Sequence, residues 1–241
     1  MGSVKKPSLA TLTKEAILEL IKNEKFVNNR LPSENELTKK LGVSLSTLRE
    51  ALLMLKREGI IDKVHGRGNF VHESALKAKM RIDLISDLNY LIEDGGYEPH
   101  MEQKKSWVSN VNKNEIDFLD LNREEELFNF ERIFYGDNIP AVWVINRIPT
   151  KYLKEIPNNE QLKKPIYQIF WNCCQVKISQ SIFEFVPIKA AQKESDIFNI
   201  NKGTPMIAWH EVFYNLKDEP ISYNRLVFNP EMISLKMLRK W

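Results

Sequence analysis

Cysteine is scarce in this sequence of 241 residues, because the only two stand side by side at Cys173 and Cys174. An adjacent pair provides neither the framework of a disulfide-stabilised secreted domain nor the ligand spacing of a zinc site. The pair suits the reducing environment of the cytoplasm, where we expect this protein to be. The sequence therefore predicts no metal site and no cofactor.

Long apolar runs are also absent. No stretch approaches the roughly 18 apolar residues that a membrane-spanning helix needs, so we expect no membrane partner. Hydrophobic residues nevertheless make up 43% of the chain and charged residues 28%, a composition typical of a globular protein with a substantial core. The length allows one large domain or two ordinary ones.

Excess charge of one sign is small over the whole chain, at +3, but it is unevenly distributed. Residues 1–72 hold 13 basic and 8 acidic side chains, and the remainder holds 22 basic and 24 acidic ones. The positive charge is therefore concentrated in the N-terminal third. A basic domain of this kind is suited to contact with nucleic-acid phosphates.

The segment from Leu31 to Val71 has the pattern of two short helices joined by a tight turn. Ser33 stands three residues before Glu36, the spacing of a reciprocal helix cap, and Gly42 supplies the left-handed residue that ends the first helix. Ser44 can cap a second helix, in which Leu48, Ala51, Leu52 and Leu55 form one apolar stripe. Polar side chains then crowd the exposed start of that helix. This is the arrangement of a helix-turn-helix, whose second helix enters the DNA major groove.

Two short strands are predicted directly after these helices. Ile60–Val64 and Asn69–Val71 flank His65-Gly66-Arg67-Gly68, in which two glycines favour a tight turn and hold an arginine at its tip. The hairpin is a candidate wing that contacts a DNA groove or phosphate. A small helical domain with an ordinary surface hairpin is the alternative interpretation of the same pattern.

Several phrases of this segment resemble, in order, the GntR family of bacterial transcription regulators. They are Leu31-Pro32-Ser33-Glu34, Leu41-Gly42-Val43-Ser44, Thr47-Leu48-Arg49-Glu50-Ala51-Leu52, Glu58-Gly59-Ile60-Ile61 and Gly66-Arg67-Gly68-Asn69-Phe70-Val71. The resemblance implies a winged helix-turn-helix, a homodimer and a pseudo-palindromic operator in double-stranded DNA. It also implies a set of DNA-contacting residues, which map onto Asn35, Ser44, Ser46, Thr47, Arg49, His65, Gly66 and Arg67. Leu45 departs from the pattern, because many members have an arginine there and a leucine cannot make a bidentate contact to guanine.

The remaining sequence predicts a linker and a second domain. We expect residues 1–72 to form the DNA-binding domain, residues 73–81 the linker, and residues 82–241 the second domain. In the latter, Asp117–Asn122 resembles Asp196–Asn201 at an offset of 79 residues, and Phe134-Tyr135 matches Phe213-Tyr214 at the same offset. Each copy reads as a short helix followed by a β-hairpin, which predicts one antiparallel sheet with helices on one side. Chance similarity between hairpins is the alternative. The apolar spacing also predicts an amphipathic helix from Ile82 to Asp94, with Ile85 on its inner face, and another near Gln161–Cys173.

The second domain resembles the UTRA effector-binding domain of the HutC subfamily, whose fold is similar to that of chorismate lyase. The resemblance rests on Phe130-Glu131-Arg132, the turn to Pro140, Pro149, Ile166-Tyr167, Gly203-Thr204-Pro205 and Glu219-Pro220-Ile221-Ser222-Tyr223. The whole chain is therefore expected to have an α+β fold, with an N-terminal winged helix-turn-helix and a UTRA-like sheet domain that binds an effector and dimerises.

The UTRA resemblance implies a set of effector-binding positions. They correspond here to Arg132, Phe134, Val144, Pro165, Glu211 and Ser222, and we expect Tyr167 and Tyr223 to add hydroxyl contacts. Arg132 fits an arginine that holds an anion, whereas Phe134, Val144, Pro165, Glu211 and Ser222 replace residues that suit sugar phosphates. We therefore expect a small organic effector with one anionic or polar group and an apolar body, with Trp107, Trp143, Trp171 and Trp209 as candidates for lining its pocket. A sugar phosphate is the alternative.

The function expected from these features is a ligand-responsive transcription regulator, most simply a repressor released from a palindromic operator by its effector. The first alternative is an enzyme of the chorismate-lyase-like fold that carries a DNA-binding domain as a tether. This alternative lacks a suitable pair of acid and base residues, because the candidates His210 and Glu211 are adjacent in a strand and point to opposite faces of the sheet. The second alternative is a DNA-binding protein without an effector.

Overall fold

The computed structural model of the protein describes residues 7–84 and 87–240. The chain forms two compact units. The first unit combines the N-terminal segment up to Leu84 with the C-terminal segment from Lys236, and the second covers the residues up to Leu235 that lie between them. No helix of the described residues is both long and apolar enough to cross a membrane.

The first unit is a winged helix-turn-helix. Its elements are helices α1 (Leu9–Asn23), α2 (Glu34–Leu41) and α3 (Leu45–Arg57), strands β1 (Ile61–Val64) and β2 (Gly68–Val71), and helix α4 (Glu73–Lys77). β1 and β2 pair antiparallel, with Ile61 opposite Val71 and Val64 opposite Gly68. Apolar side chains of α1, α2, α3 and the hairpin share one buried core, which includes Ile17, Leu37, Leu48, Leu55 and Ile61.

The helix boundaries follow from the capping residues that the sequence predicts. The Ser33 backbone N–H donates to the Glu36 carboxylate at 2.8 Å, and the Glu36 N–H donates back to Ser33 Oγ at 3.3 Å. Gly42 ends α2 with a φ of 66°, a left-handed conformation that costs glycine little. Ser44 Oγ accepts the Thr47 N–H and starts α3. The predicted helix-turn-helix is therefore confirmed at the level of its caps.

Residues 73–81, which the sequence suggests as a linker, lie in the first unit together with the end of the chain. Arg81 forms a parallel bridge with Lys236, and the Ile82 N–H donates to the Lys236 carbonyl at 2.8 Å. Lys240 Nζ donates to the carbonyls of Lys56 and Arg57 at the end of α3, where cations are favourable. The C-terminal segment is thus part of the winged helix-turn-helix unit.

The second unit is built on a six-stranded antiparallel sheet of order β3-β4-β5-β8-β7-β6. The strands are β3 (Pro99–Asn110), β4 (Glu126–Gly136), β5 (Ile139–Pro149), β6 (Gln180–Lys189), β7 (Pro205–Tyr214) and β8 (Pro220–Phe228). The helices are α5 (Leu88–Asp94), α6 (Lys113–Leu119), α7 (Asn159–Leu162), α8 (Ile166–Ile169) and α9 (Gln192–Phe198). A π-helical turn, Phe170–Cys174, continues α8.

The internal repeat is visible in the fold and is longer than the sequence suggests. β3-α6-β4-β5 and β6-α9-β7-β8 have the same order of elements, and the two copies meet where β5 pairs with β8. Their helices are also alike in detail. Glu115 accepts the Asn112 N–H at 2.9 Å and pairs with Arg147, and Glu194 accepts the Ala191 N–H at 3.1 Å and pairs with Arg225.

Helices cover both faces of the sheet, so the expectation of helices on one side is wrong, although the α+β class is confirmed. α6 packs with Leu127 and Val212 on one face. α7 and α8 pack with the strand neighbours Phe128 and Phe213 on the other. Adjacent strand residues point to opposite faces, so both surfaces of the central strands are apolar and both need cover.

Two helices predicted as continuous are interrupted. The predicted helix from Gln161 to Cys173 is divided between α7 and α8, because Pro165 disfavours helical geometry at the residue before it. The predicted helix from Ile82 to Asp94 is a 3-10 turn, Ile82–Leu84, followed by α5. Its expected core residue Ile85 lies outside the described residues. Asp87 caps α5 by accepting the Asn89 N–H at 2.7 Å.

Candidate functional site

The start of α3 presents a cluster of hydroxyl groups. Ser44 Oγ lies 2.9 Å from Ser46 Oγ and 2.8 Å from Thr47 Oγ1. Ser44 and Ser46 are exposed, and Leu45 between them is 38% exposed. Each hydroxyl can donate or accept, so the cluster can exchange its internal hydrogen bonds for bonds to base edges or phosphates.

Glu34 connects the three elements of this surface. Its carboxylate accepts Arg49 Nε of α3 at 2.7 Å and Lys63 Nζ of β1 at 2.8 Å. These two hydrogen bonds, from Lys63 first and Arg49 second, hold the pKa of Glu34 below its ordinary value. This bond uses Nε of the Arg49 guanidinium and neither of its two terminal nitrogens. Glu34 thus fixes the arginine without occupying the fork that could bind a guanine or a phosphate.

The wing tip carries the remaining predicted DNA contacts. His65, Gly66 and Arg67 are all exposed in the turn between β1 and β2. Gly66 has a φ of 71°, which a residue with a Cβ adopts at a cost, so the glycine sets the shape of the tip. The Arg67 guanidinium lies 5.7 Å from the centre of the Phe70 ring, a cation–π contact that keeps it close to the hairpin.

All eight predicted DNA contacts therefore lie on the first turn of α2, the start of α3 or the wing tip, and Asn35 is exposed beside Glu34. Their contact with DNA stays a prediction. Sequence reasoning missed Glu34 and Lys63. Glu34 stood inside the Leu31–Glu34 motif, but only the fold shows that its carboxylate reaches both Arg49 and Lys63.

The second unit contains a cavity with two lobes on the sheet face that α8 covers. The smaller lobe is about 100 Å³ and the larger about 350 Å³, and they share Asp87, Leu88, Arg132, Ile166 and Tyr167. Asn89, Met101, Phe134, Lys163, Lys164 and Pro165 complete the lining of the smaller lobe. Val144, Asn146, Ile178, Ser181, Trp209, Glu211, Phe213 and Leu226 complete that of the larger lobe.

Arg132 is the shared cation of both lobes, and it is only 4% exposed. Its guanidinium lies 5.3 Å from the Phe130 ring centre and 5.4 Å from that of Phe134. No carboxylate in the described chain lies within ion-pairing distance of it, and its Nε has no hydrogen-bond partner among those residues. Burial lowers the pKa of Arg132 to about 10, against the opposing effect of the Asp87 charge, so the side chain remains cationic at neutral pH. A buried cation without an ion-pair partner is a strong site for an anion.

A chain of side-chain amides leads away from Arg132. Its Nη2 donates to Asn146 Oδ1 at 2.8 Å, and Asn146 Nδ2 donates to Asn224 Oδ1 at 2.7 Å. Ser222 Oγ donates to the same Asn224 oxygen at 2.8 Å. The amides fix one another's orientation, so Asn146 presents an oxygen to the guanidinium and Asn224 presents an oxygen to Asn146.

Glu211 lies in the larger lobe, on β7. Burial raises the pKa of its carboxyl to about 7, and a hydrogen bond from Ser181 opposes the rise. Among the described residues, no lysine, arginine or histidine lies within ion-pairing distance of this carboxyl. On the same strand and face, Trp209 is buried and its Nε1 donor has no partner in the described residues. The lobe therefore offers both a carboxyl group and an unused N–H.

Most of the predicted effector contacts line this cavity. Arg132, Phe134, Val144, Pro165, Tyr167 and Glu211 do so, and Tyr167 is 57% exposed. Ser222 lies behind Asn224 and does not line either lobe. Tyr223 is misplaced by the prediction, because it is on the other face of the sheet, stacked on Phe118 with ring centres 4.8 Å apart. Tyr223 directly follows Ser222 in β8, and the side chains of adjacent strand residues point to opposite faces of the sheet, so Tyr223 points away from the cavity.

The aromatic and histidine candidates divide between the two faces. Of the four tryptophans predicted as candidates for the pocket lining, Trp209 lines the cavity. Trp107 and Trp143 pack on the opposite face, and Trp171 is exposed. His210 is also on that opposite face, near Phe118 and Glu184, so it cannot act together with Glu211.

Sequence reasoning missed Asp87, Asn146 and Asn224. Asn146 stands among the apolar residues Val142, Val144 and Ile148 that share its face of β5, and an amide at such a position is a readable signal of a buried polar site. Asp87 was hidden by the prediction of a continuous helix through it. In the part of the chain that the structure describes, no three His, Cys, Asp or Glu side chains come close enough to hold a metal ion.

Comparison with known proteins agrees with this arrangement. The family described as bacterial regulatory proteins, gntR family, matches residues 9–71, and the UTRA domain matches residues 94–234. The HTH-type transcriptional repressor NagR of Bacillus subtilis (strain 168) is 25% identical over 177 residues, 73% of this chain and 72% of its own. The mannosyl-D-glycerate transport/metabolism system repressor MngR of Escherichia coli (strain K12) is 20% identical over 213 residues, 88% of each chain.

A solved structure shows the same fold. The possible transcriptional regulator YydK from Bacillus subtilis subsp. subtilis str. 168 superposes with a TM-score of 0.78 at 18% identity, covering 97% of this chain and 100% of its own. At this identity the likeness concerns the fold alone.

The winged helix-turn-helix and the cavity-bearing sheet domain define a DNA-binding transcription regulator that responds to a small molecule, and not an enzyme. The chain belongs to the gntR family of bacterial regulatory proteins and carries a UTRA domain in its second unit. This pairing fits the HutC subfamily that the sequence suggests.

Proposed function

We propose that the protein is a homodimeric repressor that leaves a palindromic operator when an anionic small molecule enters the cavity around Arg132. The observation that carries the proposal is the buried Arg132 guanidinium, which has an unpaired Nε and no carboxylate at ion-pairing distance in the described residues. Keeping such a cation buried costs folding free energy unless an anion neutralises it. An effector-independent DNA-binding protein would have no use for this site.

The effector is an organic anion with an apolar body. Phe134, Trp209 and Phe213 give the cavity aromatic walls, and Tyr167 at its exposed side can add a hydroxyl contact. The name of the relative MngR contains glycerate, which is a carboxylate, and this supports a carboxylate-bearing effector here. A sugar phosphate is the second candidate, favoured by Lys163 and Lys164 at the smaller lobe.

The operator contacts come from the start of α3, from Asn35 and from the wing. Arg49, positioned by Glu34, contributes the guanidinium fork, while Ser44, Ser46 and Thr47 contribute hydroxyls and Leu45 an apolar surface suited to a thymine methyl group. His65, Gly66 and Arg67 contact the backbone or minor groove from the wing. A dimer places two such surfaces on half-sites about one helical turn apart. A bacterial operator lies in the cytoplasm, so the proposal also places the protein there.

The proposal is tested by selecting bound sequences from a random duplex pool, with and without mixtures of organic anions. We expect a palindrome to be enriched and its enrichment to be lost when one mixture is added. Arg132→Met protein should enrich the same palindrome and keep it in every mixture. Enrichment of no motif would refute the DNA-reading part. Release of Arg132→Met protein by the same mixture would refute the effector site.

A further inference from the structure

The two lobes of the cavity differ in charge. The smaller lobe has Arg132 together with the exposed Lys163 and Lys164, whereas the larger lobe has Glu211 as its own charged group. Asp87 and Arg132 line both. The cavity is therefore cationic at one end and anionic at the other, with apolar walls between.

A ligand that carries only negative charge would leave the Glu211 carboxyl without a cationic partner. Asp87 lines both lobes beyond ion-pairing distance of Arg132 and already places one negative charge in the cavity, and an anionic ligand would add another to the cavity that holds Glu211. Glu211 has no cation of the protein at ion-pairing distance in the described residues, and burial raises its pKa to about 7. A positive group on the ligand would favour the ionised carboxylate and restore the balance.

The internal repeat places these two groups in equivalent positions. Arg132 on β4 and Glu211 on β7 are separated by the repeat offset of 79 residues, as are Phe134 and Phe213 beside them. Both pairs line the cavity. The two halves of the domain thus contribute the same kind of position to one cavity, but one half supplies a cation and the other a carboxyl.

The distance between the two ends suits one small ligand. The Arg132 guanidinium bonds to Asn146 on β5, and Glu211 on β7 pairs in register with Asn224 on the intervening strand β8. Two strand spacings separate β5 from β7, about 10 Å. A ligand whose charged ends approach both groups therefore has a few bonds between them.

We propose that the effector is amphoteric, with an anionic group held at Arg132 and a protonated amino group held by Glu211 at the other end of the same cavity. This inference rests on the proposed effector site and adds the chemistry of its second end. An amino carboxylate with an apolar or hydroxylated body is the class that fits.

Matched pairs of probes test the inference by calorimetry on the full chain. The probes are 4-aminobutanoate, 6-aminohexanoate and 8-aminooctanoate, each compared with butanoate, hexanoate and octanoate. We expect the amino member of at least one pair to bind about tenfold or more tightly, the effect of one charge-assisted hydrogen bond. Glu211→Gln should abolish that difference. Glu184→Gln, which removes a carboxylate from the opposite face of the sheet, should retain it.

The outcomes separate the two proposals. If the parent acids bind as tightly as their amino partners, or if Glu211→Gln retains the preference, the amphoteric effector is wrong and the anion site stands. If Arg132→Met binds the probes as tightly as the unchanged protein does, the proposed effector site is wrong. Binding of no probe up to its solubility limit overturns both.

Discussion

Asn146 Oδ1 accepts a hydrogen bond of 2.8 Å from the Arg132 guanidinium, and this amide oxygen stands where a carboxylate would neutralise the arginine. An amide orients a cation but leaves its charge in place. The guanidinium is therefore held ready for an anion that the described part of the protein does not provide.

Replacing Arg132 by methionine should separate stability from response. The change removes a buried charge and keeps an unbranched apolar side chain, so we expect the free energy of unfolding to be unchanged or raised by up to about 3 kcal/mol. The effector should no longer release the operator. Urea unfolding and fluorescence anisotropy with labelled operator measure the two effects. A large loss of stability would mean that Arg132 is a structural residue.

Arg49→Ala should weaken operator binding by about 1–3 kcal/mol, because it removes an exposed guanidinium fork from the start of α3. The fold should be retained, since the side chain is outside the core. Arg57→Ala, on the last turn of the same helix, is the matched control and should bind nearly as the unchanged protein does. Anisotropy titrations at fixed salt make the comparison, and equal losses for both variants would argue against a specific role for Arg49.

Glu34→Gln should reduce sequence preference and raise affinity for random DNA. The variant loses a negative charge near the phosphates, and it also loses the ionic bonds that fix Arg49 and Lys63. The ratio of operator affinity to random-duplex affinity measures the effect. Glu50→Gln, an exposed glutamate of α3, controls for the charge change alone. An unchanged ratio would show that Glu34 does not position Arg49.

Leu45→Arg should change the base preference of the protein. Leu45 is 38% exposed on the first turn of α3, and an arginine at this position can make a bidentate contact to guanine that leucine cannot. We expect selection from random duplexes to enrich guanine at one position of each half-site in the variant. If the enriched sequence is the same for both proteins, Leu45 does not face the bases.

Glu211 should make stability depend on pH. Its folded-state pKa of about 7 lies above the ordinary 4.5, so between these values the folded state binds more protons than the unfolded state. The free energy of unfolding attributable to Glu211 therefore falls as pH rises from about 4.5 to 7. Ser181 donates to this carboxyl, and Asp87 and Arg132 are the other charged groups of its lobe.

Urea unfolding of the unchanged protein and of Glu211→Gln at several pH values isolates this contribution. The difference in the free energy of unfolding between the two should decrease steadily across that range and then level off above pH 7. A constant difference would place the Glu211 carboxyl in solvent.

Local sequence signals predicted the first unit well, because its boundaries depend on neighbours in the chain. Ser33 with Glu36, and Ser44 with Thr47, form caps within three residues, and the hairpin turn lies between adjacent strands. The internal repeat also predicted α6, α9 and their hairpins from an offset that is visible in the sequence.

The cavity was predictable only in part, because strand pairing brings together polar residues that are far apart in the sequence. Asn146 and Asn224 come together where the two repeats join, and Asp87 lines the same cavity as Arg132 from its position at the start of α5. Tyr223 was misplaced for a different reason. The motif that ends in Ser222-Tyr223 contains two adjacent strand residues, and the sequence of the motif does not say which of the two side chains faces the cavity.

The segment from Lys236 packs in the DNA-binding unit, far along the sequence from the helices that it contacts. Leu238 packs where a side chain on Gly59 would have to go, and Lys240 reaches the last turn of α3. A ribosome makes α3 well before these residues, because the whole second unit lies between them in the sequence. A nascent or truncated polypeptide therefore carries a reader that lacks its final contacts. The DNA-binding unit is complete only when the segment from Lys236 packs against α3, a contact that closes a loop containing the whole second unit.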